Sequence, residues 1–423
     1  MSGIDFSSRI SYEPYHIYYD LNIINNDTNG TRKPPALQFT EIRNNPYLSN
    51  PSDYFCSVVR FSLETPTLPV IVPQALVGSP DINKLIYTIT FSHPLLQNNP
   101  ASVPPVVNNT MVQRLEFVPQ SNPLYTGLPN PPTEFQDIES DYYYVYTYQP
   151  FIDMVNTALK TAWTTLLANA GMAGLVGYTN FPPYLWFDED TCKATFVVPQ
   201  DLFQTPSPLY PSPTLNAALG GVGGTPIELY FNAPLFTLFS SFDAFQNGYG
   251  AVNGVVQGKN WRILFKDNIT NAPPDFPAFK TYSGKNALYV EQLYPTTPLW
   301  NPIQSIVFTT SLLPIAPSLV SVPILYGKES QLTSAGNNSN IANILTDLEV
   351  PLDRGWENKQ SLFYSPQSEY RLFDLNGNAP LSAIEISVFW KDQFGGLHPF
   401  RLASGCNGSL KIMFRRKDFQ GVL

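Results

Sequence analysis

Glu369-Tyr-Arg-Leu-Phe-Asp-Leu375, Leu381-Ser-Ala-Ile-Glu-Ile-Ser-Val-Phe-Trp-Lys391 and Leu410-Lys-Ile-Met-Phe-Arg415 lie within the last fifty-five residues of the chain. In the second run Ile384, Ile386, Val388 and Trp390 share one parity, while Glu385, Ser387 and Lys391 share the other. In the third, Leu410, Ile412 and Phe414 alternate with Lys411 and Arg415. A two-residue period is the signature of a half-buried strand. Turn sequences at Asn376-Gly377-Asn378 and Gln393-Phe-Gly-Gly396 separate the runs, and Leu397-His-Pro-Phe400 follows the second turn. Three or four antiparallel strands joined by tight turns predict a β-sandwich that the C-terminal residues complete.

Working back along the chain, the same signals recur. Tyr54-Phe-Cys-Ser-Val-Val-Arg-Phe-Ser-Leu63, Leu85-Ile-Tyr-Thr-Ile-Thr-Phe91, Arg114–Val118, Asp141–Tyr148, Ile227–Phe231, Trp261–Phe265, Leu288–Leu293, Ser305–Leu312 and Pro323–Tyr326 all read as strands. In and around Leu68-Pro-Val-Ile-Val72, Pro66, Pro69 and Pro73 cannot donate to a ladder, which predicts an edge or a bulge. Tyr184–Phe187 and Ala194–Val198 flank Asp188-Glu-Asp-Thr191 as a hairpin, and Leu235–Phe239 reads as a short helix or turn. One longer helix interrupts the pattern. Phe151, Met154, Val155, Ala158, Leu159, Ala162, Trp163, Leu166 and Leu167 recur at helical spacing, with Pro150 at the start and Gly171 past the end. Such a stripe packs on a sheet. The chain is therefore all-β with one helix.

Composition narrows the function. The 423 residues suffice for one large or two medium domains. Charged residues are only 13%, against about 25% in an ordinary soluble domain. Tyr numbers 24, Phe 28 and Pro 41, so the chain cannot rely on a charged surface and is expected to bury uncharged surface against other subunits. The net charge of −9 leaves no overall footprint for nucleic acid; the one dense basic run is Arg415-Arg416-Lys417. Cys56, Cys192 and Cys406 are too few and too scattered for a disulfide framework or a metal site. No apolar stretch is long enough for a membrane span, and the Met1-Ser-Gly-Ile-Asp5 start has no apolar leader core, so a protein made soluble inside a cell is expected.

Signs of catalysis are missing. His16, His93 and His398 are far apart, and no Gly-x-Ser-x-Gly elbow or phosphate loop occurs: Gly220–Gly224 lacks a following Gly-Lys-Ser/Thr. Asp188, Glu189 and Asp190 do not match a calcium loop, and a hairpin turn explains them. The expectation is a non-enzyme with no catalytic residues, no cofactor and no metal.

These features resemble the penton (vertex) or minor capsid proteins of polinton-like viruses, adintoviruses and virophages, with the adenovirus penton base a more remote relative. Four stretches carry the resemblance: Asp53–Leu63 with Thr67–Pro73; Trp300-Asn-Pro-Ile-Gln-Ser-Ile-Val-Phe-Thr-Thr310; Val388–Phe400 with Gly405-Cys406 and Lys411–Lys417; and the mid-chain order of helix 151–167, Phe-Asp hairpin and Leu235–Phe242. The Arg-Gly-Asp of some adenovirus pentons is absent, so no receptor role is carried over.

The resemblance implies a jelly-roll β-sandwich built from both chain ends, with a β-rich domain carrying one helix inserted mid-chain. On this reading residues 1–50 form an extended N-terminal arm, 51–140 and 290–423 the jelly roll, and 141–289 the inserted outer domain. The implied function is a homopentamer at the five-fold vertices of an icosahedral double-stranded DNA virus. Its partners would be other copies, the major capsid protein of the same virion and packaged DNA at Arg415, Arg416 and Lys417. Two alternatives stand beside it: a trimeric jelly-roll major capsid protein, although no internal repeat is visible, and a glycan-binding spike or attachment protein using Trp163, Trp186, Trp261, Trp300, Trp356 or Trp390. The arm, the closing strands and the basic end are the candidate contacts.

Overall fold

The computed structural model describes residues 14–27, 33–92, 110–122, 127–132, 140–168, 177–204, 226–247, 258–265, 267–268, 286–316, 318–321, 339–350, 361–365, 371–393 and 395–418. Pro206–Pro213, Gly220–Gly224, Pro323–Tyr326, Gly171, His93 and Trp356 lie outside them.

In chain order the first strands are His16–Ile24 (β1), Gln38–Ile42 (β2), Tyr54–Glu64 (β3), Lys84–Ser92 (β4), Thr110–Glu116 (β5), Tyr184–Asp188 (β6) and Lys193–Pro199 (β7). Glu228–Phe231 (β8), Ala244–Gln246 (β9), Trp261–Ile263 (β10), Asp267–Asn268 (β11), Ala287–Glu291 (β12) and Ile303–Thr309 (β13) follow. The chain ends with Ser318–Ser321 (β14), Ser339–Ala342 (β15), Ile344–Glu349 (β16), Ser361–Tyr364 (β17), Phe373–Asp374 (β18), Ala383–Asp392 (β19), Leu397–Pro399 (β20) and Asn407–Arg416 (β21). The α-helices are Tyr148–Ala168 (α1), Gln200–Phe203 (α2) and Ala233–Leu238 (α3).

Two antiparallel sheets form the sandwich, one ordered β1-β21-β3-β17 with β18 also on β3, the other β16-β13-β19-β2 with β20 on β19. Leu410, Ile412 and Phe414 from the first sheet and Ile384, Ile386, Val388 and Trp390 from the second all enter one core. Phe61 meets Phe308 across it, with ring centroids 5.1 Å apart. This is the β-sandwich expected from the alternating runs, in the all-β jelly-roll form that the resemblance implies. The closing strands do not pair in succession, however: β18 and β21 belong to one sheet, β19 and β20 to the other. Among the described closing strands β19 and β20 pair as a tight hairpin, and Gly395 at φ 93° turns it where a side chain would be strained.

A second core belongs to the insert. Helix α1 lies on β4, β5 and β6, burying Phe151, Val155, Leu159 and Trp163 completely. It is backed by the sheets β5-β4-β8-β10-β9 and β11-β12-β7-β6. Trp163 donates its indole N–H to the Tyr178 carbonyl at 3.0 Å and packs edge-on to Phe91. The hairpin expected around Asp188-Glu-Asp-Thr191 forms, with Asp188 paired to Lys193.

Three expectations are corrected. Residues 1–50 are not an arm over 16–24 and 38–42, because β1 pairs along the whole of its length with β21 and β2 pairs with β19. The insert begins after β3, not at residue 141: β4 and β5 pair with β8 or each other, and Leu85, Ile89 and Phe91 belong to the helix-bearing core. It ends at the approach to β13 rather than at 289, since Trp300 is still in that core and Ile303 already in the other. Alternation shows that a strand is half-buried, not which sheet takes it. Asp141–Tyr148 is no strand either. Ser140 accepts from the Tyr142 N–H to cap a 3-10 turn over Asp141–Tyr143, Val145 forms a lone bridge with Ile71, and α1 begins at Tyr148.

Candidate assembly surfaces

The sandwich is polar. At one end Tyr54 pairs with Arg416, His16 with Arg415 and Ala383 with Ile42, so Pro14 and Asp418, the outermost described residues, lie there. At the opposite end Leu63 pairs with Gly408 and Ile303 with Asp392, and the chain enters and leaves the insert. Every strand of the sandwich core thus runs between an insert pole and a terminal pole.

The basic run Arg415-Arg416-Lys417 sits at the terminal pole, and acids answer part of its charge. Arg416 pairs with Asp418 at 3.0 Å and lies over the Tyr15 ring; Lys417 pairs with Asp374 at 2.9 Å and lies over Phe55. The closing strands, expected to make contacts, are central: β21 lies between β1 and β3, and β19 between β13 and β2. Their backbones are consumed within the sheets, which leaves only side chains of an outward face for a partner.

At the insert pole the two domains meet through aromatic and polar groups. His398 on β20 stacks on Trp390 with centroids 4.1 Å apart, and its Nε2 is 2.8 Å from Asp392 Oδ2. Its Nδ1 is 3.1 Å from the hydroxyl of Tyr144, which comes from the segment leading into α1. The ring is thereby held on both nitrogens. A cleft of about 180 Å³ opens beside it, lined by Lys33, Thr67, Asn122, Asp141, Tyr146 and Arg401 among others, with Lys33 and Asp141 paired across its rim.

Nearby, the link from the insert back to the sandwich presents apolar side chains on an anchored backbone. Leu293 is 74% exposed, and Tyr294 and Leu299 are also exposed. Yet the Leu293 N–H donates to the Ser241 carbonyl, Ser241 Oγ to the Tyr294 carbonyl, and Thr296 Oγ1 and Trp300 Nε1 to the Leu238 carbonyl. A rigid apolar patch loses little entropy on docking. Further exposed apolar groups mark the sandwich edges: Tyr18 and Ile24 on β1, Ile42 on β2 and Phe363 on β17.

Groups that sequence left open for chemistry have structural roles. Asp188 accepts from the Asp190 N–H and the Thr191 hydroxyl within its turn. Burial pushes the Cys56 thiol up to about 12. Burial and the neighbouring Glu64 carboxylate raise Cys406 to about 11, so both thiols stay protonated and unreactive at neutral pH. Trp163, Trp300 and Trp390 are buried and offer no platform for a sugar, whereas Trp186 and Trp261 are half-buried. Glu385 lies on the parity that sequence assigns to solvent. It is buried, and it accepts from Gln38, from Ser387 and from both the N–H and hydroxyl of Ser311. Only the tertiary fold gathers those donors.

The described residues thus form a jelly-roll sandwich that runs from pole to pole and carries a second domain between two of its strands. The family model of the Sputnik minor capsid protein V18/19 matches residues 17–416. Structural protein V19 of Sputnik virophage is 29% identical over 202 residues, 47% of this chain and 85% of the relative. Protein V18 of the same virophage is 32% identical over 167 residues, 38% of this chain and 89% of the relative. Among solved structures, a chain of the Sputnik virophage, determined by cryo-EM, superimposes with TM-score 0.67 at 25% identity, covering 96% of this chain and 99% of its own. The mavirus penton protein shares the fold, with TM-score 0.56 at 14% identity over 95% and 99% of the two chains.

The chain belongs to the Sputnik minor capsid protein V18/19 family. It is a structural protein of the virion capsid, not an enzyme, and a minor capsid protein rather than the major one. No helix among the described residues is long and apolar enough to cross a membrane.

Proposed function

We propose that five copies of this chain close into a ring at an icosahedral vertex, with the insert pole outward and the terminal pole toward the particle interior. The observation that carries this reading is the polarity of the sandwich, with its insert at one end and both ends of the described chain at the other. A subunit of that shape exposes one domain to solvent while its flanks meet neighbours. The scarcity of charge, 13% of residues, and the exposed apolar groups on the strand edges support assembly driven by apolar burial. The major capsid protein of the same virion would meet the outer side of the ring. Arg415, Arg416 and Lys417 would face the packaged DNA, in a salt-sensitive contact weakened by the pairing of Arg416 with Asp418 and of Lys417 with Asp374.

Light scattering of the purified chain tests the ring, with a mass of five times 47.2 kDa and five-fold class averages in negative stain as the expected result. Trimers would move the protein toward a spike, and a monomer at every concentration would defeat self-assembly into rings.

A further inference from the structure

We propose that neighbouring copies join sheet edge to sheet edge, the β1 edge of one copy receiving the β17 edge of the next. This rests on the ring reading above and names the surfaces that would close it. Among the described residues, β1 has β21 on one side and no strand on the other, and β17 has β3 on one side only. An open edge directs alternate N–H and C=O groups outward and is a template for another strand. Soluble proteins blunt such edges with lysine, proline or bulges. β1 carries no lysine, proline or bulge, and the shorter β17 carries no lysine or proline. β1 reads His16-Ile-Tyr-Tyr-Asp-Leu-Asn-Ile-Ile24 and pairs with β21 through nine consecutive residues without a shift; β17 reads Ser361-Leu-Phe-Tyr364.

Strand direction fits a ring. All pairings in this sheet are antiparallel, so β1 and β3 run one way and β21 and β17 the other. The strands run from pole to pole, and rotation about an axis along them preserves direction. The β17 of one copy therefore reaches the β1 of its neighbour antiparallel.

Height fits as well. Across the sheet Phe363 is level with Ser62, Ser409 and Asn22, and Leu362 with Leu63, Gly408 and Ile23. Rotation about the same axis leaves height unchanged, so Phe363 of one copy arrives beside Asn22 of the next and diagonal to Ile24, within reach of its side chain. Ile24 and Phe363, each 68% exposed, would then cover one another. The two patches are different, as a ring-closing contact requires.

The test is disulfide trapping in the full chain. An N22C/F363C double variant on a Cys406→Ser background should oxidise into a covalent ladder ending at the closed ring, while each single variant stops at dimers or below. Amide exchange on the unmodified chain gives a readout free of mutation: Leu21–Ile24 should gain protection on assembly. Rings that form without that crosslink and without that protection would overturn the edge pairing and leave the ring standing. A chain that stays monomeric would overturn both.

Discussion

Glu385 shows how one residue can defeat alternation. It sits on the polar parity of β19 yet is buried, 6% exposed. Burial alone would raise its pKa, but the hydrogen bonds from Ser311, Ser387, Gln38 and the Ser311 N–H outweigh it and hold the carboxyl below its ordinary value. A carboxyl more acidic in the folded than in the unfolded chain stabilises the fold above the unfolded pKa of about 4.3 and loses that contribution as pH falls through the lower folded value. Urea titrations should therefore show E385A costing about 2–3 kcal/mol at neutral pH, where donors are left buried without their acceptor, and less in strong acid. An equal cost at both pH values would remove the carboxylate from this account. Trp390 tests the core directly. With its ring stacked on His398 and edge-on to Tyr144, W390A should destabilise the sandwich by about 3–5 kcal/mol in the same titration.

Among elements, α1 and β1 have opposite logic. The helix is held by one apolar face, so W163A should open the insert core, and amide exchange should quicken at Leu85–Phe91 and Phe196 while Leu410–Phe414 stays protected. Loss of protection in both places would mean that the two cores unfold as one. The strand β1 is held by its ladder to β21 and by Leu21, with Ile17, Tyr19 and Ile23 half-buried on the same face. Deleting residues 1–25 should uncover the β21 edge, and size-exclusion chromatography should show aggregation rather than a clean smaller species. A well-behaved monomer would show that the sheet does not need its first strand.

On the scale of the whole molecule, the two cores divide the chain more sharply than its length suggests. The sandwich draws on residues before 69 and after 302, the insert on those between. Replacing residues 70–301 by a short glycine-serine linker should leave a folded jelly roll, because its own apolar core is intact; far-UV circular dichroism and cooperative urea unfolding would show it. An unfolded product would place essential contacts at the Tyr144–His398–Trp390 junction instead. If apolar burial closes the ring, its mass should survive about 1 M sodium chloride, where the Debye length is about 3 Å. A ring that dissolves in salt would be held by charge.

Local sequence specifies the strand-rich class, the apolar parity of β19 and β21, the α1 stripe and the Asp188 hairpin. Each of these rests on a local period or turn chemistry that a few neighbouring residues specify. It also carried the family resemblance in its mid-chain order and closing strands. The tertiary structure alone decided which sheet each strand joins, since β4 and β3 share the same β-rich signature while lying in different cores. It decided that His16–Ile24 is a sheet edge rather than an arm, because a partner nearly four hundred residues away supplies the ladder. It also decided that Glu385 is buried and that the closing strands are central. Pairing over such separations depends on which surfaces fit when the chain closes, and no window of sequence contains both sides of that contact.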